Sequence, residues 1–74
     1  MTDLESLPTL AARVTYYRHF RGMTIPQLAE ATELSPDTIT AIERGLIRRP
    51  SQPTLLALSR GLRVEALWLV YGGS

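Results

Sequence analysis

The chain has 74 residues, no cysteine and a formal net charge of +1. This length is enough for one small domain and argues against a deep catalytic cleft. Without cysteine there is no disulfide framework or thiolate zinc site, and the single histidine has no cluster of carboxylates beside it, so no metal or other cofactor is expected. No apolar run is long enough to span a membrane, and the acidic Met1–Ser6 segment is unlike a signal peptide, so we expect a cytoplasmic protein.

Only helices are predicted, because no stretch shows the apolar–polar alternation of a strand or a hairpin turn sequence. The first helix is predicted over Pro8–Arg21 and ends at Gly22, with Arg18 on the same face as its apolar residues. Tyr16 and Phe20 form a second pair outside that face. We interpret this pair either as a satellite cluster beneath the N-terminal segment or as part of a partner surface.

Two short helices follow with only a few residues between them. The second is predicted to begin after Thr24, a good N-cap, and to end near Glu33. The third is capped by Ser35 and closed by Gly45. This arrangement is typical of a helix-turn-helix motif, which we place at about residues 25–44.

The rest of the chain is also predicted to be helical. A connection over Leu46–Thr54 leads to a fourth helix predicted over Thr54–Arg60, and a short fifth helix is predicted over Val64–Val70. There are no repeats, linkers or low-complexity stretches. The sequence therefore predicts one all-α domain of five helices over residues 1–74.

The chain resembles the Cro and phage-repressor family of XRE-type regulators. The resemblance is carried by RHFRGMTIPQLAEATELSPDTITAIERG and by the later PTLLALSRGLRVEALWL, and covers about Val14 to Leu69. It implies a lambda-repressor-like helix-turn-helix fold, dimeric binding to operator DNA, and control of transcription.

The resemblance also implies roles for particular residues. Arg18 and Glu43 match the ion pair that joins the first and third helices in this family, so we expect both to be structural.

The positions that read bases in the family lie on the outer face of the third helix and correspond here to Pro36, Asp37, Thr40 and Ala41. None of these is the Gln, Asn or Arg that contacts purines with two hydrogen bonds, so we expect modest direct readout and a contribution from DNA shape.

Asp37 has a second interpretation, since an aspartate in the first turn of a helix interacts favourably with the helix dipole without any ligand. Two further positions depart from the family. Ile25 stands where a phosphate-contacting Gln is usual, and Glu33 stands where the turn usually has Gly, which makes the turn geometry less certain.

Phosphate contacts are expected from polar and basic side chains that flank the third helix: Gln27, Thr38, Arg44, Arg48 and Arg49. All eight cationic residues of the chain are arginine, which suits forked contacts to phosphate, although GC-rich coding would have the same effect. The alternative for the loop arginines is that they are simply solvated.

The fifth helix carries more apolar residues than a terminal helix needs. We expect Leu67, Trp68, Val70 and Tyr71 to contribute to a dimer interface, with capping of the core as the alternative for Trp68.

No nucleophile and base stand together, so an enzyme is not expected. The sequence thus predicts a homodimeric repressor, of phage Cro-like or controller type, that binds double-stranded DNA. The alternative is a protein-interaction module or antitoxin on the same fold, with another protein as its partner.

Overall fold

The computed structural model describes residues 9–72, which form five helices. They are α1 (Leu10–Phe20), α2 (Ile25–Thr32), α3 (Pro36–Glu43), α4 (Gln52–Leu62) and α5 (Ala66–Tyr71). The predicted all-α, five-helix fold is confirmed, and the described part of the chain contains no strand. Within it, no helix combines the length and apolar character that crossing a bilayer requires.

The first four helices each begin at a hydroxyl side chain that accepts a hydrogen bond from the amide three residues later. These N-caps are Thr9, Thr24, Ser35 and Ser51. Each of them satisfies one backbone donor that a helix start would otherwise leave without a partner. Pro8, where the sequence predicts the start of α1, precedes the Thr9 cap and lies outside the described residues.

The predicted start of α4 at Thr54 is wrong by two residues. Ser51 caps the helix, with its Oγ 3.4 Å from the amide nitrogen of Thr54, and the helix begins at Gln52. Pro53 therefore lies in the first turn rather than in the connection. A proline is tolerated there because the first amides of a helix have no carbonyl partner within it.

The predicted ends of α4 and α5 are also shifted. α4 continues past Arg60 to Leu62, and Gly61 lies inside it, where a Cβ atom would come within 2.5 Å of Thr32 Cγ2. This glycine therefore allows α4 to approach α2 closely rather than ending the helix. Arg63 ends α4 in the left-handed conformation (φ 59°), and α5 begins after Glu65.

The core contains apolar side chains from all five helices: Val14, Leu28, Ala29, Ile39, Ile42, Leu58, Leu62 and Leu69. Full burial of a large apolar side chain contributes about 1.5–3 kcal/mol, so these contacts hold the helices in place. In this packing α3 lies against α1 and α2, while α4 packs on α2 and α5. The remaining face of α3 is left open.

The turn between α2 and α3 is made without glycine. Glu33 adopts the left-handed conformation with φ 61°, in the position where the family usually has Gly. Thr32 supports the turn, because its Oγ1 donates to the carbonyl of Leu28 at 2.7 Å and accepts from the amide of Leu34 at 3.3 Å. The turn geometry that the sequence left uncertain is therefore a regular left-handed C-cap.

The conformation of Glu33 generates a stability prediction. Replacing it with glycine (Glu33→Gly) removes the contact between Cβ and the backbone that disfavours positive φ, and we expect the free energy of unfolding to rise by about 0.5–1 kcal/mol in urea denaturation. The control is Glu30→Gly, on the exposed side of α2, which should lower the free energy of unfolding by about 1 kcal/mol. A loss of stability in Glu33→Gly would show that the Glu33 side chain makes a contribution larger than its backbone strain.

Candidate nucleic-acid interface

A bidentate ion pair joins α1 to the last residue of α3. Arg18 Nε donates to Glu43 Oε2 at 2.7 Å and Arg18 Nη2 donates to Glu43 Oε1 at 3.0 Å, and both side chains are about nine-tenths buried. The hydrogen bond to Glu43 raises the pKa of Arg18 above its usual value, with support from the Glu43 charge and against the opposing effect of burial. The guanidinium therefore stays charged.

The same guanidinium also holds the segment between α1 and α2. Arg18 Nη1 donates to the carbonyl of Met23 at 2.9 Å, just before the Thr24 cap of α2. One side chain thus links the end of α1, the start of α2 and the end of α3. The structure brings Arg18 and Glu43 together inside the fold, away from the open face of α3.

The outer face of α3 carries the four residues expected to read bases. Pro36 and Asp37 are exposed, and Thr40 and Ala41 are partly exposed. The opposite face is anchored by Ile39 and Ile42, which are fully or almost fully buried. The helix therefore presents a small, weakly polar surface with one negative charge at its beginning.

Two of the expected phosphate contacts also take part in helix capping. Gln27 and Thr24 form a capping box, in which Gln27 Oε1 accepts from the Thr24 amide at 2.9 Å. The Gln27 side-chain NH₂ group forms no hydrogen bond within residues 9–72, so this donor is available to a ligand. Thr38 Oγ1 lies 2.8 Å from Ser35 Oγ, and the Thr38 amide donates to the same Ser35 oxygen.

The three remaining phosphate candidates lie on one connection. Arg44 is the C-cap residue of α3, and Arg48 and Arg49 follow in the segment that leads to α4. All three side chains are exposed, and no carboxylate of residues 9–72 forms an ion pair with them. The end of α3 therefore continues into a basic segment whose charges are available to an anion.

Comparison with known proteins identifies the family to which this chain belongs. The family model for helix-turn-helix proteins matches residues 21–69, about two thirds of the chain. The chain belongs to the XRE-type helix-turn-helix family. Proteins of this family are DNA-binding regulators of transcription, and this chain is a DNA-binding transcriptional regulator; the family and fold are not those of enzymes.

Two solved crystal structures of the restriction-modification controller protein C.Esp1396I are similar to this chain. The wild-type protein is 26% identical with a TM-score of 0.72, over 93% of this chain and 86% of the controller. A single-residue mutant is 27% identical with a TM-score of 0.73, over 85% and 80%. No curated protein sequence matches the chain.

Within the family, the departure at Ile25 has a structural explanation. The resemblance implies a phosphate-contacting Gln at this position, whereas Ile25 is partly buried and packs against the core. Ile25 therefore takes part in the packing between helices. Gln27, two residues later, keeps an amide on the exposed side of α2.

Sequence reasoning missed Arg13, which secures α5. Its Nη1 donates to the carbonyls of Leu69 at 3.2 Å and Val70 at 2.8 Å, and only 8% of the residue is exposed. Gly72 (φ 79°) lies against it, since a Cβ there would meet the Arg13 guanidinium at 3.0 Å. The available signal was the position of Arg13 three residues after Leu10, on the inner face of α1.

Arg13 thereby orients the surface of α5. Leu67 and Tyr71 are about two-thirds exposed, and Trp68 is 37% exposed. Val70 is partly buried and lines a groove with Leu10 and other residues of the same chain. Of the four residues expected at a dimer interface, the structure leaves three on the outside of α5.

The Arg18–Glu43 pair generates a prediction that separates loss of a charge from loss of packing. Glu43→Ala leaves the Arg18 guanidinium buried without its carboxylate, and we expect the free energy of unfolding to fall by about 3 kcal/mol in urea denaturation. The double variant Arg18→Met with Glu43→Leu replaces both charges with apolar groups and should cost clearly less. Equal losses in the single and double variants would contradict this expectation, because they would show that apolar side chains cannot replace the charged pair.

Proposed function

We propose that the chain is a homodimeric repressor of controller type, which places α3 of each subunit in the major groove of operator DNA. The observation that carries the proposal is the exposed outer face of α3, continued by three arginines that no carboxylate of residues 9–72 neutralises. The similar structures are those of a restriction-modification controller protein, which favours this type among small regulators.

In this proposal the arginines position the protein on the DNA. Arg44, Arg48 and Arg49 contact phosphates beside the major groove, and Gln27 and Thr38 add neutral donors from the starts of α2 and α3. Such contacts are independent of sequence and release counterions from the DNA. They provide most of the affinity.

Sequence preference comes from the outer face of α3. Thr40 and Ala41 offer methyl groups to thymine, and Asp37 is an acceptor for the amino group of cytosine. Pro36 shapes the first turn without a donor. Because these contacts are few, the DNA shape between the two half-sites contributes to recognition.

The dimer forms through α5. Leu67, Trp68 and Tyr71 form an exposed apolar surface on one short helix, and burial of such a surface is favourable. In the proposed dimer the two α3 helices lie on half-sites about one helical turn apart, as in other twofold helix-turn-helix dimers. Binding to an overlapping promoter would exclude polymerase, which is the basis of repression.

The proposed contacts predict two different responses of DNA binding. Arg48→Ala combined with Arg49→Ala should weaken binding to all duplexes about equally and reduce the slope of log affinity against log salt by about 2, since each phosphate contact contributes about 0.9. Thr40→Ala should change sequence preference and leave that slope unaltered. Fluorescence anisotropy on several duplexes over a salt series measures both.

The assignment of these residues fails if the loop variant alters sequence preference while its affinity for arbitrary DNA is intact. A wild-type affinity that barely depends on salt would contradict phosphate contacts altogether.

The dimer surface is tested by matched charged substitutions at two exposed apolar residues. Leu67 on α5 is 65% exposed and Phe20 on α1 is 63% exposed, so neither change disturbs the core. In light scattering at micromolar concentration we expect wild type and Phe20→Glu to be dimers and Leu67→Glu to be a monomer, because a carboxylate is costly to bury at an interface. The reverse pattern would place the dimer surface on the Tyr16/Phe20 side, and a monomeric wild type would contradict the dimer.

A second candidate function is supported by the same apolar surface. The four candidate base-reading positions on the outer face of α3 hold no Gln, Asn or Arg. The exposed residues of α5 would suit a different protein as well as a second copy. In that case the chain is an antitoxin-like or interaction module with DNA binding as a secondary activity. A monomeric wild type with weak, unselective DNA binding would favour it.

A further inference from the structure

The connection after α3 contains an apolar side chain that the fold does not use. Leu46 is 75% exposed, the highest value among the large apolar residues of the described chain. Its neighbour Ile47 is 36% exposed and lines a groove with Leu10, at the start of α1. Leu46 is thus about twice as exposed as Ile47.

The backbone holds Leu46 in a defined place beside α3. Gly45 turns the chain with φ 77°, and the amide of Leu46 then donates to the carbonyl of Ala41 at 2.9 Å. The amide of Ile47 donates to the same oxygen at 3.3 Å. The Leu46 backbone is thus fixed next to Ala41, at the end of the helix whose outer face carries the proposed base contacts.

The charges around Leu46 indicate what covers it. Arg44 precedes it by two residues and Arg48 follows it by two, both exposed and without an ion pair to any carboxylate of residues 9–72. An apolar protein surface would bury these guanidinium groups without counter-charges, which is costly. A sugar–phosphate chain offers anions for the arginines and, between the anions, the carbon face of deoxyribose for the leucine.

We propose that Leu46 is an apolar contact to the DNA backbone, packed on deoxyribose between the phosphates that Arg44 and Arg48 bind. This inference rests on the proposed function, in which α3 and the following connection lie on DNA. The contact carries no charge and touches no base edge. It therefore adds affinity that depends neither on salt nor on sequence, unlike the arginine contacts and the contacts of Thr40.

The test is Leu46→Ser, measured by fluorescence anisotropy on two duplexes of unrelated sequence over a salt series. We expect affinity for both duplexes to fall by about three- to tenfold, in line with partial burial of one leucine side chain, with an unchanged salt slope. Leu46→Met keeps an apolar side chain and should restore most of the affinity. The control Leu56→Ser changes another leucine, 40% exposed on α4, and should bind as wild type does.

Three results would overturn the inference while wild-type binding is intact. They are an unchanged affinity in Leu46→Ser, a loss confined to one of the two duplexes, and a loss in Leu46→Ser accompanied by a change in oligomeric state in light scattering. The first would show that Leu46 stays in solvent, the second that it reads a base, and the third that it contacts protein. If wild type itself binds neither duplex, the proposed function fails and this inference with it.

Discussion

The bidentate contact between Arg18 and Glu43 holds α3 in the position on which the rest of the proposed DNA interface depends. α3 has only eight residues, and an isolated helix of that length is not stable in water. Its position comes from tertiary contacts, namely buried Ile39 and Ile42 on its inner side and the ion pair at its last residue. Because these contacts secure one side and one end, the outer face of α3 remains available to DNA.

Arginine has two different uses in this chain. Arg13 and Arg18 are buried and donate to carbonyls or to a carboxylate, so they fasten α5 and α3 to α1. Arg44, Arg48 and Arg49 are exposed on one connection after α3. A net charge of +1 hides this division, since it adds structural and exposed cations together. The distribution of charge in space, and not its sum, is what suits the chain to a polyanion.

Much of the fold was predictable from the sequence because local signals agree with one another. Hydroxyl N-caps, prolines in first turns and three–four apolar spacing all mark the same helices, and the family resemblance places the motif at about residues 25–44. The errors lie where tertiary contacts decide. Gly61 suggests the end of a helix locally, yet it permits the close approach of α4 to Thr32. Pro53 suggests a loop, yet the Ser51 cap places it in a first turn.

The candidate site was predictable to a smaller extent. The Arg18–Glu43 pair followed from the resemblance, because both residues stand at matching positions of the family. The role of Arg13 did not, since its Nη1 donates to backbone carbonyls 56 and 57 residues further along the chain, and residue types do not reveal a backbone acceptor. The exposure of Leu46 likewise depends on the backbone turn at Gly45, where φ is 77°.

Selection of bound sites from a random duplex pool would show whether a dimer of this chain reads DNA with two copies of α3. We expect enrichment of a pair of short half-sites related by twofold symmetry, with centres one helical turn (~34–36 Å) apart. Enrichment of a single unsymmetrical site, or no enrichment at all, would contradict it.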